Sequence, residues 1–168
     1  MRPAASGEKI ETLDGEVRVL EPTDLVIADE DHAIAIAGII GGRDSEVTES
    51  TTDVVIESAH FEPSWIRRTA RRLGIVSDAA YRFERGVDSQ GARRAVDRVA
   101  HLLSELGGAE VAPGVVVAEG EAHQGVEAIV LDPQAVNRVL GTKLSADEQS
   151  ASLNRLGLGV ENAGSTGL

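Results

Sequence analysis

The sequence predicts an α+β fold with a mixed sheet and packed helices. Two observations carry this: short β-branched runs bounded by turn signals crowd residues 10–58, and two amphipathic helical patterns ending in glycine follow over residues 63–108. A third is a shorter strand-helix-helix pattern after a polar stretch at 118–125, which divides the 168 residues into an expected domain over 1–120 and an incomplete small α+β domain over 121–168.

Taken in order, Ile10–Leu13 and Val17–Leu20 flank Asp14-Gly15, a dipeptide favoured by tight primed turns, and are expected to form a hairpin. Leu25–Ala28 and Ala33–Ala37 read as buried strands, the second running into Gly38, Gly41 and Gly42. Arg43–Thr52 is polar and reads as a surface loop. Asp53–Ser58 is expected to be a strand covered on both faces, because Val54, Val55 and Ile56 are consecutive. A helix with Pro63 in its first turn and Gly74 at its C-cap buries Ile66, Ala70 and Leu73 and leaves Arg67, Arg68, Arg71 and Arg72 outside. Ser77 is placed to cap a short helix. The next helix should start near Asp88 as N-cap and end at Gly107-Gly108. Its stripe of Ala92, Ala95, Val96, Val99, Leu102, Leu103 and Leu106 predicts a main buttress of the domain. Val115–Val117 reads as a closing strand and Ala128–Leu131 as another. Asp132-Pro133 caps a helix ending at Leu140-Gly141, and Ser145 with Glu148 makes a capping box for the last helix, ending at Leu156-Gly157.

Composition limits the chemistry. There is no cysteine, hence no disulfide, cysteine–zinc site or thiol nucleophile. Aromatics are 2% of the chain, so the core must be aliphatic. No apolar run reaches the ~20 residues of a membrane span, and a cytoplasmic location without membrane or DNA partners is expected. The net charge is −12, yet residues 67–98 hold nine arginines against Asp78, Glu84, Asp88 and Asp97. That local +5 leaves −17 elsewhere, so one face can be basic and suited to phosphates, or it is a solvated helix face laced with ion pairs.

The glycine turn admits positive φ and close backbone approach, or is only a tight turn; it lacks dinucleotide and P-loop signatures. Glu57, ending an apolar run, either faces a cavity or turns to solvent. His32, His60, His101 and His123 have no metal-ligand spacing, and no Gly-x-Ser-x-Gly elbow exists. A metal site is not expected.

Four stretches in register, Ala37-Gly38-Ile39-Ile40-Gly41-Gly42, Val54–Ala59, Arg67–Gly74 and Ser77–Asp88, resemble the B3/B4 editing domain of bacterial phenylalanyl-tRNA synthetase beta subunits. A weaker resemblance to the family's B5 domain continues through 121–168. The resemblance implies a fragment, truncated upstream, of a phenylalanine–tRNA ligase: an editing domain that hydrolyses Tyr-tRNA(Phe) within an aminoacyl-tRNA synthetase. It implies an editing pocket of Gly38, Gly41, Gly42, Glu57, Ser77 and Ala79, with Glu57 reading the tyrosine hydroxyl and Ser77 standing where threonine is usual. The family's upstream editing histidine has no match in this chain. Partners implied are the tRNA(Phe) acceptor end, with Arg67, Arg68, Arg71 and Arg72 as candidates to bind it, and a synthetase alpha subunit in an α2β2 assembly. No cofactor is expected in this chain; ATP and Mg²⁺ belong to the complete enzyme. The alternative is a non-catalytic RNA-docking or assembly module.

Overall fold

The computed structural model describes residues 1–118, 120 and 128–161. The chain forms two units, Met1–Pro113 and Gly114–Leu168. In the first, β1 (Arg2–Pro3), β4 (Leu25–Ala28), β5 (Ala33–Ile36) and β6 (Ile40–Gly41) make a four-stranded sheet in the order β1-β4-β5-β6, and every ladder in it is antiparallel. The expected hairpin is present as β2 (Lys9–Glu11) and β3 (Val17–Val19), with Ile10 opposite Arg18 and Gly15 at φ +82° in the turn. The fold class is α+β, as expected.

Helix α1 (Pro63–Leu73) has Pro63 in its first turn and ends on left-handed Gly74, as expected. Its buried face is Ile66, Thr69 and Ala70, with Leu73 packed at the edge of the core. Those residues meet Leu20, Val26, Ile36, Ile39, Phe61 and Ile75, so the core lies between α1 and the sheet. Each large aliphatic buried there removes enough apolar surface for about 1.5–3 kcal/mol, and this is what holds an arginine-rich helix on the sheet. Helix α2 (Asp78–Phe83) follows, then α3 (Gly91–Gly107).

Five sequence expectations are corrected in this unit and the next. Residues 53–58 form no strand and join no sheet, and Val55 is 99% exposed. A run of valines signals a demand for apolar cover, but among the described residues no strand pairs with it. Helix α3 begins near Asp88 as expected, but its N-cap is Gln90, and the Asp88 carboxylate accepts from the Gln90 amide at 2.9 Å instead. It buries none of its residues, and Leu106 is 79% exposed, so it does not buttress the core. Residues 115–117 and 128–131 also form no strands, and Val116 is 99% exposed.

In the second unit, α4 (Pro133–Leu140) starts on the Asp132 cap and ends on left-handed Gly141. The Ser145–Glu148 capping box opens α5 (Ala146–Arg155) as expected. Polar bonds tie these helices together: the Gln149 amide donates to the Pro133 and Leu144 carbonyls at 3.1 and 3.3 Å. Most of the polar stretch at 118–125, His123 and the tail from 162 lie outside the described residues.

Candidate functional site

The glycine turn is built by three different constraints. Gly38 lies at φ +66°, a conformation other residues resist, and a Cβ there would stand 2.7 Å from the Phe61 ring. At Gly42 a Cβ would meet the Ile34 carbonyl oxygen at 2.6 Å, a backbone atom that cannot yield. At Gly41 it would meet only the Leu13 side chain, at 3.0 Å. Leu13 is 47% exposed and can move, so Gly41 is the one of the three where added bulk can be accommodated.

Ser77 joins this turn to the helices. Its Oγ donates to the Ile39 carbonyl at 2.6 Å and accepts from the Ala80 amide at 3.0 Å, capping α2 and latching it to the turn in one group. Ser77 and the glycines are therefore brought together, and Ala79, half-buried, lies two residues into the same element.

Glu57 stands apart by contacts. No hydrogen bond or ion pair links it to Ser77, Ala79 or the turn among the described residues. Its neighbours are held at both ends: Ser58 Oγ donates to the Ala92 carbonyl of α3 at 2.8 Å, and Phe61 is buried against the Gly38 position and edge-on to Phe83. Glu57 is exposed by surface area, yet enough protein surrounds its carboxyl for desolvation to push its pKa above the usual carboxylate range, opposed by the charge of the amino terminus. A carboxyl so placed favours a partner that can share a proton with it.

The four α1 arginines divide. Arg72 is committed inward, to the fully buried Asp24 and to Glu21 at 3.5 Å. Arg67 donates to the Glu84 carbonyl at 2.8 Å. Arg68 and Arg71 are exposed and make no ion pair among the described residues. Sequence reasoning missed Asp24 and Thr69; a lone acid ahead of a buried strand gave no sign of a partner 48 residues on. Beside the α1 C-terminus, between α1 and α2, lies an open groove of about 250 Å³ that Ser77 and Arg71 both line.

Among the described residues no group of three or more His, Asp or Glu could hold a metal ion, and no helix is long and apolar enough to cross a membrane.

The B3/4 domain family matches residues 1–108. The chain is 49% identical over 164 residues, 98% of its length, to a phenylalanine–tRNA ligase beta subunit of Moorella thermoacetica, of which that alignment covers 20%. It is similar to proteins of the same name from Salinibacter ruber, 47% identical over 89% of this chain and 18% of that protein, and Thermobifida fusca, 40% over 99% and 20%. The chain thus spans about a fifth of the length of the curated relatives it matches.

Proposed function

The chain belongs to the B3/4 domain family, and from that premise we propose that it is the editing portion of a phenylalanine–tRNA ligase beta subunit, hydrolysing the ester that joins tyrosine to the 3′ end of tRNA(Phe). The observation that carries this reading is the Ser77 latch. One hydroxyl sets the Ser77–Ala79 element on the Gly38–Gly42 turn, so five of the six residues expected to line a pocket belong to two elements bonded to each other.

Selectivity would come from Glu57. A site that hydrogen-bonds a substrate hydroxyl leaves its polar group unpaired when the hydroxyl is missing, which discriminates strongly against the analogue. A partly desolvated carboxyl suits that task, because an unpaired one beside a phenyl ring is penalised. Hydrolysis would rely on a water positioned by backbone and pocket polar groups rather than on a dedicated base. The free cations Arg68 and Arg71 would engage the tRNA acceptor end. Activation of phenylalanine with ATP and Mg²⁺ would fall to the rest of an α2β2 enzyme with the alpha subunit. The helix pair α4 and α5 would belong to a B5 domain.

The test uses the full-length beta subunit with its alpha subunit. Glu57→Ala should reduce discrimination between Tyr-tRNA and Phe-tRNA hydrolysis by a charged hydrogen bond, about 1.5–3 kcal/mol or roughly 10- to 150-fold. A variant with an unchanged melting temperature and the parental ratio of the two rates would overturn the reading.

A further inference from the structure

We infer that Arg18 is a positioning residue of the proposed editing pocket: it fixes the end of α1, and through it the Ser77–Ala79 element, relative to the glycine turn. This role rests on the editing reading above and brings a residue of the hairpin into it.

Arg18 sits in β3 opposite Ile10, and its side chain is only 15% exposed. Three groups hold the guanidinium. Nε donates to Thr12 Oγ1 at 3.1 Å, Nη2 binds Asp14 Oδ2 at 2.5 Å, and Nη1 donates to the Leu73 carbonyl at 2.8 Å. Thr12 is fully buried and donates its own proton to Asp14 Oδ1 at 2.5 Å, so both residues grip the acid. Thr12 first and Arg18 second hold the Asp14 carboxyl below the usual carboxylate range, which keeps it ionised at neutral pH. A planar fork of donors can serve three acceptors at once in a fixed geometry, whereas an ammonium acts as a point charge.

The two ends of this network reach different walls of the pocket. On the hairpin side, the Leu13 amide donates to the Gly41 carbonyl at 3.0 Å, and Thr12 forms a β-bridge with Gly42. On the helix side, Leu73 is the last residue of α1, where carbonyls have no partner within the helix and a cation is favoured. Only Gly74, Ile75 and Val76 separate it from Ser77. Ile75 is buried and its amide donates to the Ala70 carbonyl at 2.9 Å, so this link has little slack. Ser77 then returns to the turn through the Ile39 carbonyl. The bonds close a circuit from the glycine turn through the hairpin, Arg18, the end of α1 and Ser77 back to the turn. With the Ser77 latch alone the element could swing about one bond; the anchor at Leu73 removes that freedom.

The test uses the full-length beta subunit with its alpha subunit and measures kcat and KM for Tyr-tRNA hydrolysis. Arg18→Ala should lower kcat at least about tenfold, within the ~10²-fold that a 1 Å misplacement can cost, with KM inside about twofold of the parent and phenylalanylation unchanged. Combined with Ser77→Ala, the loss should be smaller than the product of the two single losses, because both release the same element. Asp14→Asn leaves the Thr12 and Leu73 acceptors in place; this milder variant should keep the parental melting temperature and lower kcat about threefold. A parental kcat in Arg18→Ala, whatever its melting temperature, or single losses that multiply, overturns the positioning role and leaves the editing reading standing. Should Arg18→Ala fail to fold, a parental kcat in Asp14→Asn overturns the role by itself. A parent enzyme that leaves Tyr-tRNA intact overturns the editing reading, and the role of Arg18 with it.

Discussion

The carboxylate of Asp24, with none of its surface exposed, holds the guanidinium of Arg72 from α1, and it also accepts from Thr69 Oγ1 at 2.9 Å and the Glu21 amide at 2.8 Å. Arg72 is therefore a tether between α1 and the turn before β4. Its removal leaves a buried carboxylate short of its counter-charge, for which a cost of about 3 kcal/mol is expected, the low end for buried pairs because Arg72 itself keeps some exposure. Arg72→Ala should lower the melting temperature by about 6–12 °C. Its RNA affinity should stay parental wherever it is still folded, whereas Arg68→Glu with Arg71→Glu should show the opposite pattern. Thermal melting and RNA titration on the same samples check both arms.

The glycines of the turn should differ in tolerance. Gly42→Ala forces a Cβ against the Ile34 carbonyl and should destabilise by about 2–3 kcal/mol, in the range of overpacked sites. Gly41→Ala meets only the movable Leu13 and should cost less than about 1 kcal/mol. Denaturant midpoints of the two variants rank them. Equal losses would mean that the turn is not fixed by the Ile34 contact.

Acid should loosen the edge of the sheet. Glu8 accepts two bonds from Arg2 at 2.7 and 2.8 Å and one from the Ala5 amide at 2.7 Å. The bond from Arg2, more than any other cause, lowers its pKa from 4.5 to about 2. Because the folded value is the depressed one, the ionised form is favoured on folding. Its stabilisation is complete above about pH 4.5 and disappears as pH falls towards 2. Glu8→Gln should be less stable than the parent at pH 6 and nearly equal to it at pH 2, measured by denaturant unfolding. A gap between the two proteins that stays constant with pH would exclude Glu8 as the cause.

The parts of this molecule legible in the sequence are those written in local backbone chemistry. Asp14-Gly15 marked the hairpin, Pro63 and Gly74 bounded α1, and Ser145 with Glu148 opened α5, because turns and caps are decided within a few residues. What failed depended on distant partners. The valines at 54–55 and the stripe of α3 announced apolar faces correctly, but periodicity shows only that a face wants cover, not that this chain supplies it. Arg72 looked the same as Arg68 and Arg71, since nothing within α1 distinguishes an arginine that meets a buried acid from two that meet water. The site was half legible: Ser77 was visible as a cap, but its second bond, to Ile39, reaches 38 residues back.

That second bond makes the last prediction. If Ser77 serves only as a cap, Ser77→Ala should destabilise α2 alone, by about 1 kcal/mol. If it is also the latch described above, the Ile39 carbonyl loses its donor and the glycine turn loosens with the helix. Amide exchange separates the cases, because Ile39 donates to the Ile36 carbonyl at 3.0 Å and Gly42 to the Ile34 carbonyl at 2.8 Å, both in the turn and neither in α2. Ser77→Ala should speed exchange at Ala80, Ile39 and Gly42 together. Ser77→Thr keeps the hydroxyl and should leave all three near the parental rate, since threonine caps nearly as well as serine. Faster exchange at Ala80 with unchanged Ile39 and Gly42 in the alanine variant would reduce Ser77 to a helix cap and remove the link between the two elements of the proposed pocket.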